Sequence, residues 1–98
     1  MAEVAFLVSA KVDFDTAFDW YAARSESAAL RFIEEVHNCL DRVAIDPERF
    51  ARFDTVHRQA RVKRFPYRIV FQVAGDRITV VAIAHHSRRP GCWRLLDG

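Results

Sequence analysis

Nine residues, His85 to Trp93 (HHSRRPGCW), bring two imidazoles, two guanidiniums, a thiol and an indole together directly after an apolar run. A second group lies upstream, where Arg58, Arg61, Lys63 and Arg64 crowd the segment RQARVKRF and Pro66, Tyr67 and Arg68 follow. An imidazole with an unperturbed pKa of about 6.5 is suited to proton transfer near neutrality. Guanidiniums bind phosphate in a planar, two-pronged manner. A metal site built from His85, His86 and Cys92 fails on geometry. Adjacent strand residues face opposite sides, Cys92 has no C-x-x-C partner, and no fourth ligand stands at zinc spacing. No metal or other cofactor is expected. His85 as a general acid or base competes with a simpler role, a strand-end histidine bonded to nearby backbone, because no carboxylate partner is visible beside it. Pro90 stops the strand, and the Trp93 indole can fold back over the sheet edge, so both read as structural.

The elements that must hold these groups follow from periodicity. Val4, Phe6 and Val8 alternate with Ala5, Leu7 and Ser9, the pattern of a first strand. From Asp13 onward Phe14, Ala17, Phe18 and Tyr21 recur at helical spacing, giving a short amphipathic helix. Ser25 is placed to cap a second helix from about Glu26, whose stripe is Ala29, Phe32, Ile33, Val36, Leu40 and Val43, and Asp46-Pro47 ends it. Arg58 to Phe65 reads as a basic strand. Tyr67 to Val73 alternates with Tyr67, Ile69, Phe71 and Val73 on one face. Ala74-Gly75-Asp76 supplies a hairpin turn, and Arg77 to Ala84 is an apolar, β-branched strand. The expected fold is α+β in the order β-α-α-β-β-β, an N-terminal helical hairpin packed on an antiparallel sheet, with the position of the first strand left open. Burying the Tyr67/Ile69/Phe71/Val73 face under the helices leaves Arg68 on the other, open face. Arg61, Lys63, His85 and Arg88 are expected beside it.

Composition narrows the class. A chain of 98 residues with 51% hydrophobic content and only three Gly and three Pro reads as one globular domain, residues 1–98. The N-terminal apolar run is too short to span a bilayer and lacks a basic flank and a cleavage site, so a cytoplasmic protein with no membrane association is expected. Cys39 reads as a small apolar residue on a helix face. The net charge of +2 hides an uneven distribution, since residues 1–48 hold four Lys/Arg against ten Asp/Glu and residues 49–98 hold eleven against three. Such a basic half favours a phosphate-bearing or acidic partner. Phe50 and Phe53, were they unburied, would mark a partner groove.

The β-α-α-β-β-β order, the segment VKRFPYRIVFQV (Val62 to Val73) and the pattern His85, Arg88, Pro90, Trp93 together resemble the RelE/ParE superfamily of toxins from bacterial type II toxin–antitoxin systems. The resemblance implies a growth-inhibiting toxin held inactive by a cognate antitoxin, with either DNA gyrase or ribosome-bound mRNA as its target. It also implies catalytic candidates at Arg68, His85 and Arg88, should the chain be a metal-independent endoribonuclease. Arg58, Arg61, Lys63, Arg64 and Arg89 become nucleic-acid or partner-binding candidates, while Pro66, Tyr67, Pro90 and Trp93 form the structural motif. The nuclease branch tends to carry a C-terminal tyrosine and more lysines, whereas this chain has Trp93 there and only two lysines. A non-toxic relative that only engages its antitoxin or another protein is the competing class.

Overall fold

The computed structural model describes residues 2–86. Arg88, Arg89, Pro90, Cys92 and Trp93 lie outside them. Strand β1 (Glu3–Phe6) leads into helices α1 (Val8–Ala22) and α2 (Glu26–Ile45), and a short 3-10 turn (Pro47–Arg49) precedes strands β2 (His57–Arg61), β3 (Tyr67–Ala74) and β4 (Arg77–His85). The sheet order is β1-β4-β3-β2. The β2–β3–β4 meander is antiparallel as expected. β1 pairs with β4 in parallel, which makes the sheet mixed. No short turn links β1 to β4, because the whole helical hairpin and two strands intervene, and a long connection leaves a parallel pairing free to form.

Helix α1 begins at Val8, five residues ahead of the Asp13 start that its apolar spacing suggests. The alternation at Val4, Phe6 and Val8 continues past the true end of β1, but Val8 is 75% exposed and Ala10 is fully buried, the pattern of a helix turn. What holds this first turn is β4. Past Val80, β4 outruns the short β1, and its free edge is met by two α1 side chains four residues apart. The Ser9 hydroxyl donates to the Val81 carbonyl at 2.9 Å, and the Asp13 carboxylate accepts from the Ile83 N–H at 3.1 Å. Side chains one helical turn apart thus take the place of a strand and block further edge pairing. Helix α2 starts as its sequence predicts, with the Ser25 hydroxyl accepting from the Ala28 N–H at 3.3 Å.

Both helices cover one face of the sheet. Phe32, Val36 and Val43 from α2 and Ala10 and Ala17 from α1 pack on Ile69, Phe71, Ile78, Val80 and Ile83. The opposite face carries a smaller apolar cluster, Val70, Val81, Ala82 and Ala84, capped by Leu7 and Phe53. Phe50 is also half-buried, its ring edge-on to Phe71 at 6.1 Å. Both rings are therefore partly buried against the sheet.

One irregularity decides which side chains share a face. Val70 pairs with Ala82 but Phe71 pairs with Val80, so Val81 is an extra residue in β4. Such a bulge shifts the alternation of everything beyond it by one. Ile78 and Val80 point to the helices before the bulge, and Ile83 does so after it. The β3–β4 turn is tight, with Gly75 at φ 62°, a left-handed conformation that glycine adopts without a Cβ clash.

Candidate functional site

The basic strand ends earlier than its composition suggests. β2 stops at Arg61, and Lys63 and Arg64 sit in the turn to β3, with Arg64 at φ 70°. Lys63 therefore does not share a strand face with Arg61, contrary to expectation. A non-glycine residue in the left-handed region is uncommon. The Arg64 Nε stands 3.7 Å from the Glu35 carboxylate.

Cross-strand register builds the site on the open face. Arg61 lies directly opposite Arg68, and Arg68 opposite Ala84 of the open-face cluster, so the two arginines share the side away from the helices. Like charges placed directly across an antiparallel pair oppose folding by a few tenths to about 1 kcal/mol. A sheet that keeps such a pair gains nothing for its own stability from it. Gln59, Arg61, Arg68 and His86 line a shallow depression of about 380 Å³.

The histidine in this depression is His86, not His85. The Val81 bulge reverses the face of both residues from the one simple alternation assigns. His85 pairs across from Tyr67, its ring edge-on at 5.1 Å, and lines a groove with Thr16, Ala17, Trp20, Tyr21 and Pro66. It thus joins an aromatic cluster in which Phe32 stands 5.4 Å from Tyr21 and 5.5 Å from Tyr67. His86 turns to the open side, anchored by its backbone N–H on the Pro66 carbonyl at 2.9 Å. Desolvation, followed by repulsion from Arg61, Arg68 and His85, holds its imidazole below the usual 6.5. Such a histidine is neutral at pH 7 and can accept a proton or a hydrogen bond.

The other candidates scatter. Arg58 reaches across the β2 edge and donates to the carbonyls of Glu48 at 3.1 Å and Phe50 at 2.8 Å, pinning the segment ahead of β2. Tyr67 belongs to the core-facing cluster, and the Pro66 carbonyl accepts from the His86 N–H. Cys39 is fully buried, its thiol donating to the Arg61 carbonyl at 3.5 Å, and burial raises its pKa against the opposing effect of Arg42.

Sequence reasoning also passed over a polar network at the far end of β2. The Asp54 carboxylate accepts from the N–H groups of Val56 and His57 at 2.8 and 2.7 Å, and both its oxygens stand 3.1 Å from His57 Nδ1. His57 Nε2 is 3.2 Å from the Gln72 amide nitrogen, so the ring donates from Nδ1 and accepts at Nε2. The Asp-x-x-His spacing was the available signal, and the network fixes the entry into β2. Among the described residues no cluster of His, Cys, Asp and Glu could hold a metal ion. No helix among them is long and apolar enough to cross a membrane.

The family model of the ParE toxin of the type II toxin–antitoxin system, parDE, matches residues 4–90. The chain belongs to the ParE toxin family. Its fold is shared with a chain of the chromosomal ParDE TA system from P. aeruginosa, at a TM-score of 0.74 and 19% identity, over 87% of this chain and 96% of that one. It is also similar to a copper-bound mutant toxin from Helicobacter pylori, at a TM-score of 0.54 and 18% identity, over 89% and 97%. No curated protein sequence matches it. The chain is thus a toxin of a type II system in the ParE family, and the ParDE pairing implies a cognate ParD antitoxin.

Proposed function

We propose that this toxin arrests bacterial growth in the cytoplasm by binding DNA gyrase through its open basic face, and that the cognate antitoxin neutralises it there. The observation that carries this reading is the Arg61–Arg68 cross-strand pair with His86 beside it. Two guanidiniums and a neutral imidazole on a rigid sheet form a recognition surface for anionic or hydrogen-bonding groups. His85, the proton-transfer candidate that the sequence offered, stands on the helical face instead, packed on Tyr67.

A second reading, metal-independent cleavage of mRNA, is favoured by one observation. His86 lies beside Arg61 and Arg68 and is neutral at pH 7, so it can take the proton of a 2′-hydroxyl while the guanidiniums stabilise the charge that develops on the phosphorus oxygens. That reading requires a second group to protonate the leaving oxygen, and no described residue lining the depression is suited to that role.

Inducing the toxin alone in a bacterial host, then assaying gyrase supercoiling and mRNA ends with the purified chain, tests both readings. Growth arrest with supercoiling inhibited and mRNA intact supports the gyrase reading. Specific mRNA cuts that vanish in His86→Ala would transfer the site to the nuclease reading. No arrest at all would leave a family member that only engages its antitoxin.

A further inference from the structure

The open-face depression is not the end of the positive surface. On the other side of β2 lies a second, larger hollow of about 660 Å³, lined by Arg42, Arg49, Phe50, Gln59, Ala60, Arg61, Lys63 and Arg64. Gln59 and Arg61 line both hollows, so the two meet across the β2 edge. Arg42 comes from the last turn of α2 and Arg49 from the 3-10 turn, so three separate elements converge on one hollow. Five cationic side chains line it and no acidic one does. Glu35, a buried residue of α2, pairs with Arg64 at 3.7 Å without lining the hollow. A solvated surface ordinarily intersperses charges of both signs, and this one does not.

We infer that these two hollows form one continuous track for the phosphodiester backbone of a nucleic acid, crossing the β2 edge at Arg61. Charge and side-chain chemistry favour this occupant over an acidic protein segment. Four of the five cations are arginines, whose planar forks match phosphate oxygens. Arg42 is oriented by donating to the Arg61 carbonyl at 3.4 Å, and the Arg49 guanidinium lies over the Phe50 ring at 5.5 Å, so the forks are partly pre-ordered. An amphipathic protein segment needs a run of apolar anchor points, and of the residues lining this hollow only Phe50 and Ala60 are apolar. The inference does not rest on gyrase as target, because a nucleic acid held here serves either a gyrase-bound or an mRNA-directed toxin.

The test is fluorescence anisotropy of the purified full chain with a labelled single strand of about 12 nucleotides, as RNA and as DNA, and with a DNA duplex of that length. Salt is varied over about 50 to 200 mM, where affinity should fall with a log–log slope of about −0.7 per phosphate contacted on a single strand. Arg49→Glu/Lys63→Glu alters two exposed side chains outside the open-face depression. It should weaken binding by about tenfold or more and flatten the slope by about 1 to 2. Arg77→Glu, which reverses an exposed cation paired with Glu3 at the far end of the sheet, should leave the slope in place. Tighter binding of RNA, of single-stranded DNA or of duplex identifies the source of the backbone. Absence of binding to all three probes overturns the inference, as does an unchanged slope in Arg49→Glu/Lys63→Glu. Equal loss in Arg77→Glu would reduce the effect to net charge, and equal competition by a poly-glutamate peptide would give the surface to acidic proteins. Arg49→Gln alone, with a smaller change in the same direction, serves should the double variant fold poorly. Supercoiling inhibition measured on the same preparations keeps the fate of the gyrase reading separate.

Discussion

On the helical face of the sheet, Arg58 donates to the carbonyls of Glu48 and Phe50, and His85 stands edge-on to Tyr67 within a ring cluster that includes Phe32. On the open face, Arg61 faces Arg68 across the strands with His86 beside them, around a depression open to solvent. Each face thus holds arginine and histidine, yet one set is tied into the fold and the other is displayed around an open depression, with Arg61 and His86 exposed and Arg68 half-buried. Residue type is the same in both. The difference comes from parity along two strands, and in β4 that parity is set by the single extra residue Val81.

The contrast can be broken from either side. The largest effect is expected from Phe32→Ala, which empties the fully buried centre of the ring cluster and should destabilise the chain by about 3–5 kcal/mol, read as a lower denaturant midpoint. Arg58→Ala should cost about 1.5–3 kcal/mol, because two charged hydrogen bonds to backbone carbonyls are lost. Its nucleic-acid affinity at the folded state should stay close to that of the parent chain. A larger loss of affinity than of stability would place Arg58 with the displayed set.

Arg61→Glu should do the reverse of Arg58→Ala. An opposite charge across from Arg68 turns a repulsive cross-strand pair into an attractive one, and stability should rise by a few tenths to about 1 kcal/mol. Growth arrest should be lost. A rise in stability with arrest retained would separate the pair from function.

The smallest effect concerns His86. Its folded pKa lies below the ordinary 6.5, so below that pH the unfolded chain takes up a proton before the folded chain does. Stability should therefore fall as pH drops from about 6.5 towards the lower folded value, and be indifferent to this group above 6.5. His86→Gln should flatten that limb of the curve. An anion held by Arg61 and Arg68 offsets the repulsion, so inorganic phosphate should raise the His86 pKa in an NMR titration. A downward shift would contradict the placement of the anion.

Much of this arrangement is legible in the sequence. Ser25 and Asp46-Pro47 bracket α2 at its observed ends, and the alternation from Tyr67 to Val73 assigns Arg68 to the open face without reference to any contact. The start of α1 was not legible, because Val8 to Val12 is apolar enough to extend a strand and its first turn is held by the distant β4 edge through Ser9 and Asp13. Nor was the face of His85. A β-bulge leaves no mark in an unbroken apolar run such as Val80 to Ala84, where every residue suits either side of a sheet. Arg42 and Arg49 escaped for a related reason, since each sits at the end of its own helical turn and only the folded chain brings them to β2.

In the proposed site Arg61, Arg68 and His86 form the working surface while His85 serves the fold. Viable counts after induction of Arg68→Ala and of His85→Phe in a host lacking the antitoxin, with the folding of each checked by its thermal transition, test it most directly. Phenylalanine keeps the ring that packs on Tyr67, so His85→Phe should arrest growth as the parent does, and Arg68→Ala should not. A folded His85→Phe that has lost arrest, beside an Arg68→Ala that retains it, would contradict the assignment.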